Sequence, residues 1–111
     1  RFERGVDPRG VEAASARAAE LIVRVAGGTV ARGAIRVGDA EPGPRSVTMR
    51  ASRCAAVLGV GLDASTQAGM LARLGLAARV AGDKITCAVP TYRRDLEREI
   101  DLIEEVGRLH G

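Results

Sequence analysis

Aromatic side chains are nearly missing from this chain. Phe2 and Tyr92 are the only two, and there is no tryptophan. Proteins that hold unpaired nucleic-acid bases stack them on several rings, so that mode of binding is excluded. The core must instead be assembled from Ala, Val, Leu and Ile, which the 46% hydrophobic content permits. Cysteine is scarce too. Cys54 and Cys87 stand far apart, with no second thiol at metal-ligand spacing and His110 as the single histidine. A four-ligand zinc site has no ligands to draw on, and two buried, reduced thiols of a cytoplasmic protein are the expected reading. No apolar run approaches the roughly 20 residues of a membrane-spanning helix, and no signal-peptide pattern opens the sequence.

Lysine is represented by Lys84 alone among 17 basic residues. The formal net charge of +3 hides an uneven split. Residues 1–90 carry a balance of +5, and residues 91–111 a balance of −2. A chain that is basic on one side and acidic on the other suits contact with nucleic acid through one and with a cation or basic surface through the other. At 111 residues it suits one small domain with an appendage from a neighbour. The opening "RFERGVDP" lacks an initiator methionine and reads as the interior of a longer chain.

Asp7 and Pro8 predict the start of a helix over "RGVEAASARAAELIVRVAGG", stopped by Gly27 and Gly28. Val11, Ala14, Ala18, Leu21, Ile22 and Val25 form its apolar stripe. "TVARGAIRV", 29–37, predicts a strand. The Gly- and Pro-rich "GDAEPGPRS", 38–46, supports neither helix nor central strand and marks a domain boundary. Beyond it the spacing predicts a strand over 46–50, a helix over 51–59, and a second helix over 64–75 capped by Asp63. A hairpin over 76–90 with Gly82 and Asp83 at its tip follows, then a final helix from about Asp95. Helix, turn, helix and two-stranded wing form the plan of a winged-helix module, so the expected class is α+β.

"GVGLDA", 59–64, matches a loose dinucleotide-binding glycine pattern, with Asp83 about twenty residues on. That site requires a strand at "CAAVL", where the Ala-rich sequence favours a helix, and no further βα units follow. The glycines are better read as helix ends and turns. Arg50, Arg53, Arg73, Arg79 and Lys84 are the basic groups placed to line a helix-turn-helix and wing against phosphates. Their clustering is loose, and Arg also serves as the general solubilising residue here.

The last segment, "VPTYRRDLEREIDLIEEVGRLHG", holds six carboxylates between Asp95 and Glu105. At about 100° per residue, Glu97, Asp101, Glu104, Glu105 and Arg108 share one helix face, with Leu96, Ile100, Ile103 and Val106 broadly opposite and facing the core. Asp101 repels Glu104 and Glu105 at three- and four-residue spacing. A wet surface tolerates this, and a hard cation such as Mg²⁺ would make it favourable. A solvated face and a binding face both remain open from periodicity alone.

"RFERGVDP", the helix ending "AGG", "VLGVGLDASTQAGMLARLGL" and above all the closing segment resemble the beta subunit of bacterial phenylalanine–tRNA ligase over nearly the whole chain. Residues 44–111 resemble its B5 domain, and residues 1–43 the tail of the preceding B3/B4 editing domain. The resemblance implies an assembly of two alpha and two beta chains that uses ATP to join phenylalanine to tRNA-Phe, with adenylate chemistry on the alpha chain and no catalytic residue here. It also implies a Mg²⁺ site shared with the alpha subunit, whose acids fall on Asp95, Asp101, Glu104 and Glu105. Asp95 would sit at the helix start, where it can also act as a cap. No editing residue can be assigned. The alternative from another class is a free-standing winged-helix module that binds DNA or RNA.

Overall fold

The residues of "RSVTMR" alternate between polar and apolar, which suits a strand with one covered face. In the computed structural model, which describes residues 5–38 and 43–111, they form β1, Arg45–Arg50, with Val47 and Met49 buried. β3, Lys84–Val89, repeats the pattern with Ile85, Cys87 and Val89 inward. β2, Ala77–Ala81, completes an antiparallel sheet in the order β1-β3-β2. Val47 lies opposite Cys87 and Met49 opposite Ile85, so the inward side chains of the two strands meet as cross-strand pairs. β2 and β3 are joined by Gly82 and Asp83. Gly82 takes a φ of 59°, the positive value that tight hairpin turns require and that glycine adopts without a Cβ clash.

Helices cover one side of this sheet. α2, Ala51–Leu58, ends at Gly59, whose φ of 70° lets the chain leave the helix in the left-handed region. α3, Ala64–Arg73, starts at Asp63, whose carboxylate accepts from Thr66 N at 2.7 Å. α4, Glu99–His110, closes the core with Leu102, Ile103 and Val106. Leu71, Leu76, Met49, Ile85, Cys54 and Cys87 are fully buried beside them. Burial pushes the Cys87 thiol up to about 11 and also raises that of Cys54, which leaves both as apolar core groups. Both are free thiols.

Residues 5–38 differ. Asp7 caps a 3-10 turn, Pro8–Gly10, by accepting from Arg9 N at 3.0 Å, and α1, Val11–Ala26, continues from it. The helix stops at Gly27 as expected, yet none of its residues is buried.

Three expectations need correction. Residues 29–37 form no strand, and Val30, Ile35 and Val37 are exposed. Alternating apolar residues make a strand only where another strand accepts their backbone bonds, and among the described residues the sheet contains β1, β3 and β2 alone. The last helix begins at Glu99, four residues after Asp95, because residues 90–98 fold across its flank as a loop. Ile100 is 43% exposed, which puts it at the rim of the buried face of α4 and not within it. The α+β class stands, with four α-helices and three strands among the described residues. The segment "CAAVL" is helical, which removes the strand a dinucleotide site would need. No helix is long and apolar enough to cross a membrane among the described residues.

Candidate functional site

The acidic segment sorts its carboxylates into three environments. Glu99, the first residue of α4, faces the β1–α2 corner. Its Oε1 accepts from Arg50 N at 2.9 Å and Arg50 Nε at 3.0 Å, and its Oε2 from Arg50 at 2.9 Å and Arg53 at 3.1 Å. These bonds, from Arg50 first, hold the Glu99 carboxyl down at about 2. Two of the five basic residues expected to face phosphates are thus already matched to an acid.

Arg93 organises the second group. Its backbone N–H donates to Pro90 O at 3.0 Å, and its carbonyl accepts from Arg45 at 2.9 Å, which fixes the loop on both sides of it. The guanidinium then reaches Asp95 through three bonds, at 3.0, 3.3 and 2.7 Å, and Glu105 Oε1 at 2.8 Å. Arg108 approaches the same Glu105 oxygen at 3.3 Å. Bonding to Asp95 first, and then to Glu105, raises Arg93 above its ordinary range, and the same contact lowers Asp95. Glu105 is 7% exposed because the 90–98 loop covers it.

Asp101 and Glu104 form the third group. Asp101 is the third residue of α4, and its Oδ2 accepts from Glu97 N at 2.9 Å and Arg98 N at 2.7 Å. It thereby satisfies amide groups that a helix start leaves open. Among the described residues its Oδ1 meets only a long approach from Arg98 at 3.8 Å. Glu104 is exposed and has no ion-pair partner among the described residues. Glu97 is also exposed and lies 3.8 Å from Arg45.

Residues 47–111 match the family model of the tRNA synthetase B5 domain. The chain belongs to that family. Its whole length is 44% identical to a phenylalanine–tRNA ligase beta subunit of Rhodopirellula baltica, covering 16% of that protein. Identity is 42% to the one from Salinibacter ruber and 45% to the one from Thermotoga maritima, covering 13% and 14% of them. The resemblance drawn from the closing motif is therefore borne out, and the chain is a small fraction of the length of the relatives it matches.

Of the four acids expected to hold Mg²⁺, the B5 module brings Asp95 and Glu105 together, but around Arg93. Asp101 and Glu104 stand apart from them. Among the described residues no group of three or more His, Cys, Asp and Glu is arranged to hold a metal ion. The four-carboxylate set does not fit a cation cage built from this chain alone.

Two residues with structural roles escaped the sequence reading. Glu99 was one carboxylate among six, with nothing local to connect it to Arg50. Asp83 enters the sequence pattern as a hairpin-tip residue and as the acid that follows the 59–64 glycine pattern, and neither role connects it to α2. Its Oδ1 accepts from Ser52 N and its Oδ2 from Ser52 Oγ, both at 2.7 Å, while its carbonyl accepts from Ala51 N at 2.7 Å. The hairpin tip therefore caps α2, whose own N-cap residue, Arg50, supplies no side-chain bond. The Ser52 bonds hold the Asp83 carboxyl below its usual range.

Proposed function

We propose that this chain is a docking segment of a phenylalanine–tRNA ligase beta subunit, with residues 44–111 as a B5 domain of winged-helix plan and residues 1–43 as the end of the domain before it. The order α2, turn, α3 and β2–β3 hairpin supports the winged-helix plan. The open apolar stripe of α1 supports the domain division, because a helix that buries nothing here is suited to cover elsewhere. ATP-dependent attachment of phenylalanine to tRNA-Phe belongs, in this reading, to the complete alpha and beta assembly. The segment itself contributes no catalytic residue.

One observation carries the docking role. α4 closes the core with one side and turns Glu104 outward with the other, and the loop before it exposes Glu97. Among the described residues Glu97 is held only by a 3.8 Å approach of Arg45, while Glu99 and Glu105 are already matched to arginines. An acidic strip left open in this way suits a basic surface of the alpha subunit. Charged groups across an interface set register and partner choice. For a magnesium ion at that boundary, Glu104 and Asp101 Oδ1 are the groups still available. Mg²⁺ commonly takes one or two carboxylates and keeps several waters. The ion would supply positive charge at these two carboxylates, and the alpha chain would have to provide further oxygens.

The test is capture of the 111-residue chain by the alpha subunit. Glu97→Arg combined with Glu104→Arg changes two exposed groups and leaves the core alone. It should weaken capture by at least roughly tenfold, since facing like charges cost several kcal/mol. Unchanged capture would remove α4 from the interface.

A further inference from the structure

We propose that Arg93 is the resident counter-cation of the acidic helix: its guanidinium, in place of a divalent ion, holds Asp95 and Glu105 together, so that the folded module needs no metal. This concerns the module's own construction and holds with or without an alpha subunit.

Charge balance is the first support. Asp95 and Glu105 bring two negative charges, and Arg93 and Arg108 bring two positive ones within 3.3 Å. A divalent ion entering here would meet a neutral cluster and would have to displace a guanidinium to reach either carboxylate. Placement is the second. The side chain of Glu105 is only 10% exposed, and a carboxylate so far from water requires a fixed partner. Arg93 meets that need because its planar fork can bond two carboxylates at once. Its own backbone is held by Pro90 and Arg45, so the charge is delivered by the loop and does not depend on a flexible stem alone. The third support is the sorting of the remaining acids. Asp101 spends one oxygen on backbone amides, and Glu104 faces solvent, so neither converges on the Arg93 cluster.

The experiment is thermal unfolding of the 111-residue chain, of Arg93→Met, of Glu105→Gln and of the double variant, each in millimolar magnesium chloride and in EDTA. The wild type should melt at the same temperature in both. Each single substitution should lower the melting temperature by roughly 5 °C or more, as loss of a kcal/mol or so does in a domain of this size. The double variant should fall no further than the worse single one, because both remove the same contact. An unchanged melting temperature for Arg93→Met would overturn the proposal. So would a wild type that loses stability in EDTA when Glu105→Gln does not. If Arg93→Met fails to fold, the Arg93 Nε–H proton resonance of the wild type decides. It should remain in place as magnesium is added, and a shift or loss of that signal would show the guanidinium being displaced.

Discussion

α1 and α4 carry similar patterns and meet different fates. Each places apolar residues along one side at helical spacing and charged residues along the other. α4, with 12 residues, buries Leu102, Ile103, Glu105 and Val106. α1, with 16, buries none. Its surface contacts are ion pairs such as Arg17 with Glu20 at 2.6 Å and Arg36 with Glu12. Exposed pairs of this kind contribute little. An amphipathic stripe therefore announces that a helix wants cover, and only the rest of the fold decides whether this chain provides it. Isolated helices of this length are marginal in water, so the stability of α4 comes from its packing.

Substitutions at matched positions sharpen the contrast. Leu102→Ala should cost about 2–5 kcal/mol in urea unfolding, the range for deleting a fully buried leucine. Leu21→Ala on α1 should stay within about 0.5 kcal/mol. Equal effects would break the comparison. A smaller loss, about 1 kcal/mol, is expected for Asp83→Ala, because the α2 N-terminus loses its cap although residue 83 lies on a different element. An Asp83→Ala chain as stable as the wild type would mean that the hairpin tip does not hold α2.

Acid should act on the closed module through Glu99. The Glu99 carboxyl is lowered from 4.5 to about 2 on folding, chiefly by Arg50. A depressed carboxyl contributes stability that is complete above its unfolded value and is lost as pH falls through the folded one. Stability of the wild type should thus decline between about pH 4.5 and about pH 2, and Glu99→Gln should flatten that part of the curve. An identical slope in both chains would deny Glu99 this role. The smallest effect is expected with duplex DNA. Arg50 and Arg53 are engaged by Glu99, so Arg50→Ala should leave any salt-dependent gel shift unaltered. A marked loss of binding would favour the nucleic-acid module.

Much of the closed module was legible because its signals are local. Asp63 caps the helix it precedes, Gly59 ends the helix it follows, and Gly82 and Asp83 turn the hairpin they interrupt. The alternation of β1 and β3 also sufficed, since each found a partner. The same kind of alternation at 29–37 misled, because pairing is a property of two segments and a pattern belongs to one. The clasps of Glu99 on Arg50 and of Asp83 on Ser52 join residues 49 and 31 positions apart, with no local trace of either. The shared carboxylate face was right in direction and incomplete in consequence. Helix geometry placed Glu105 beside Asp101 and Glu104, but it could not show that a loop would fold over Glu105 and bring Arg93 to it. Ile100 departs for the converse reason, since it stays 43% exposed although its spacing matches the buried residues of α4.

Amide hydrogen exchange along the 111-residue chain tests the contrast most directly. Protection should be strongest in β1, β3 and α4, where opening requires unfolding the shared core, and α1 should exchange nearly as fast as an unstructured peptide. Protection of α1 equal to that of α4 would contradict the division of this chain into a closed module and an uncovered helix.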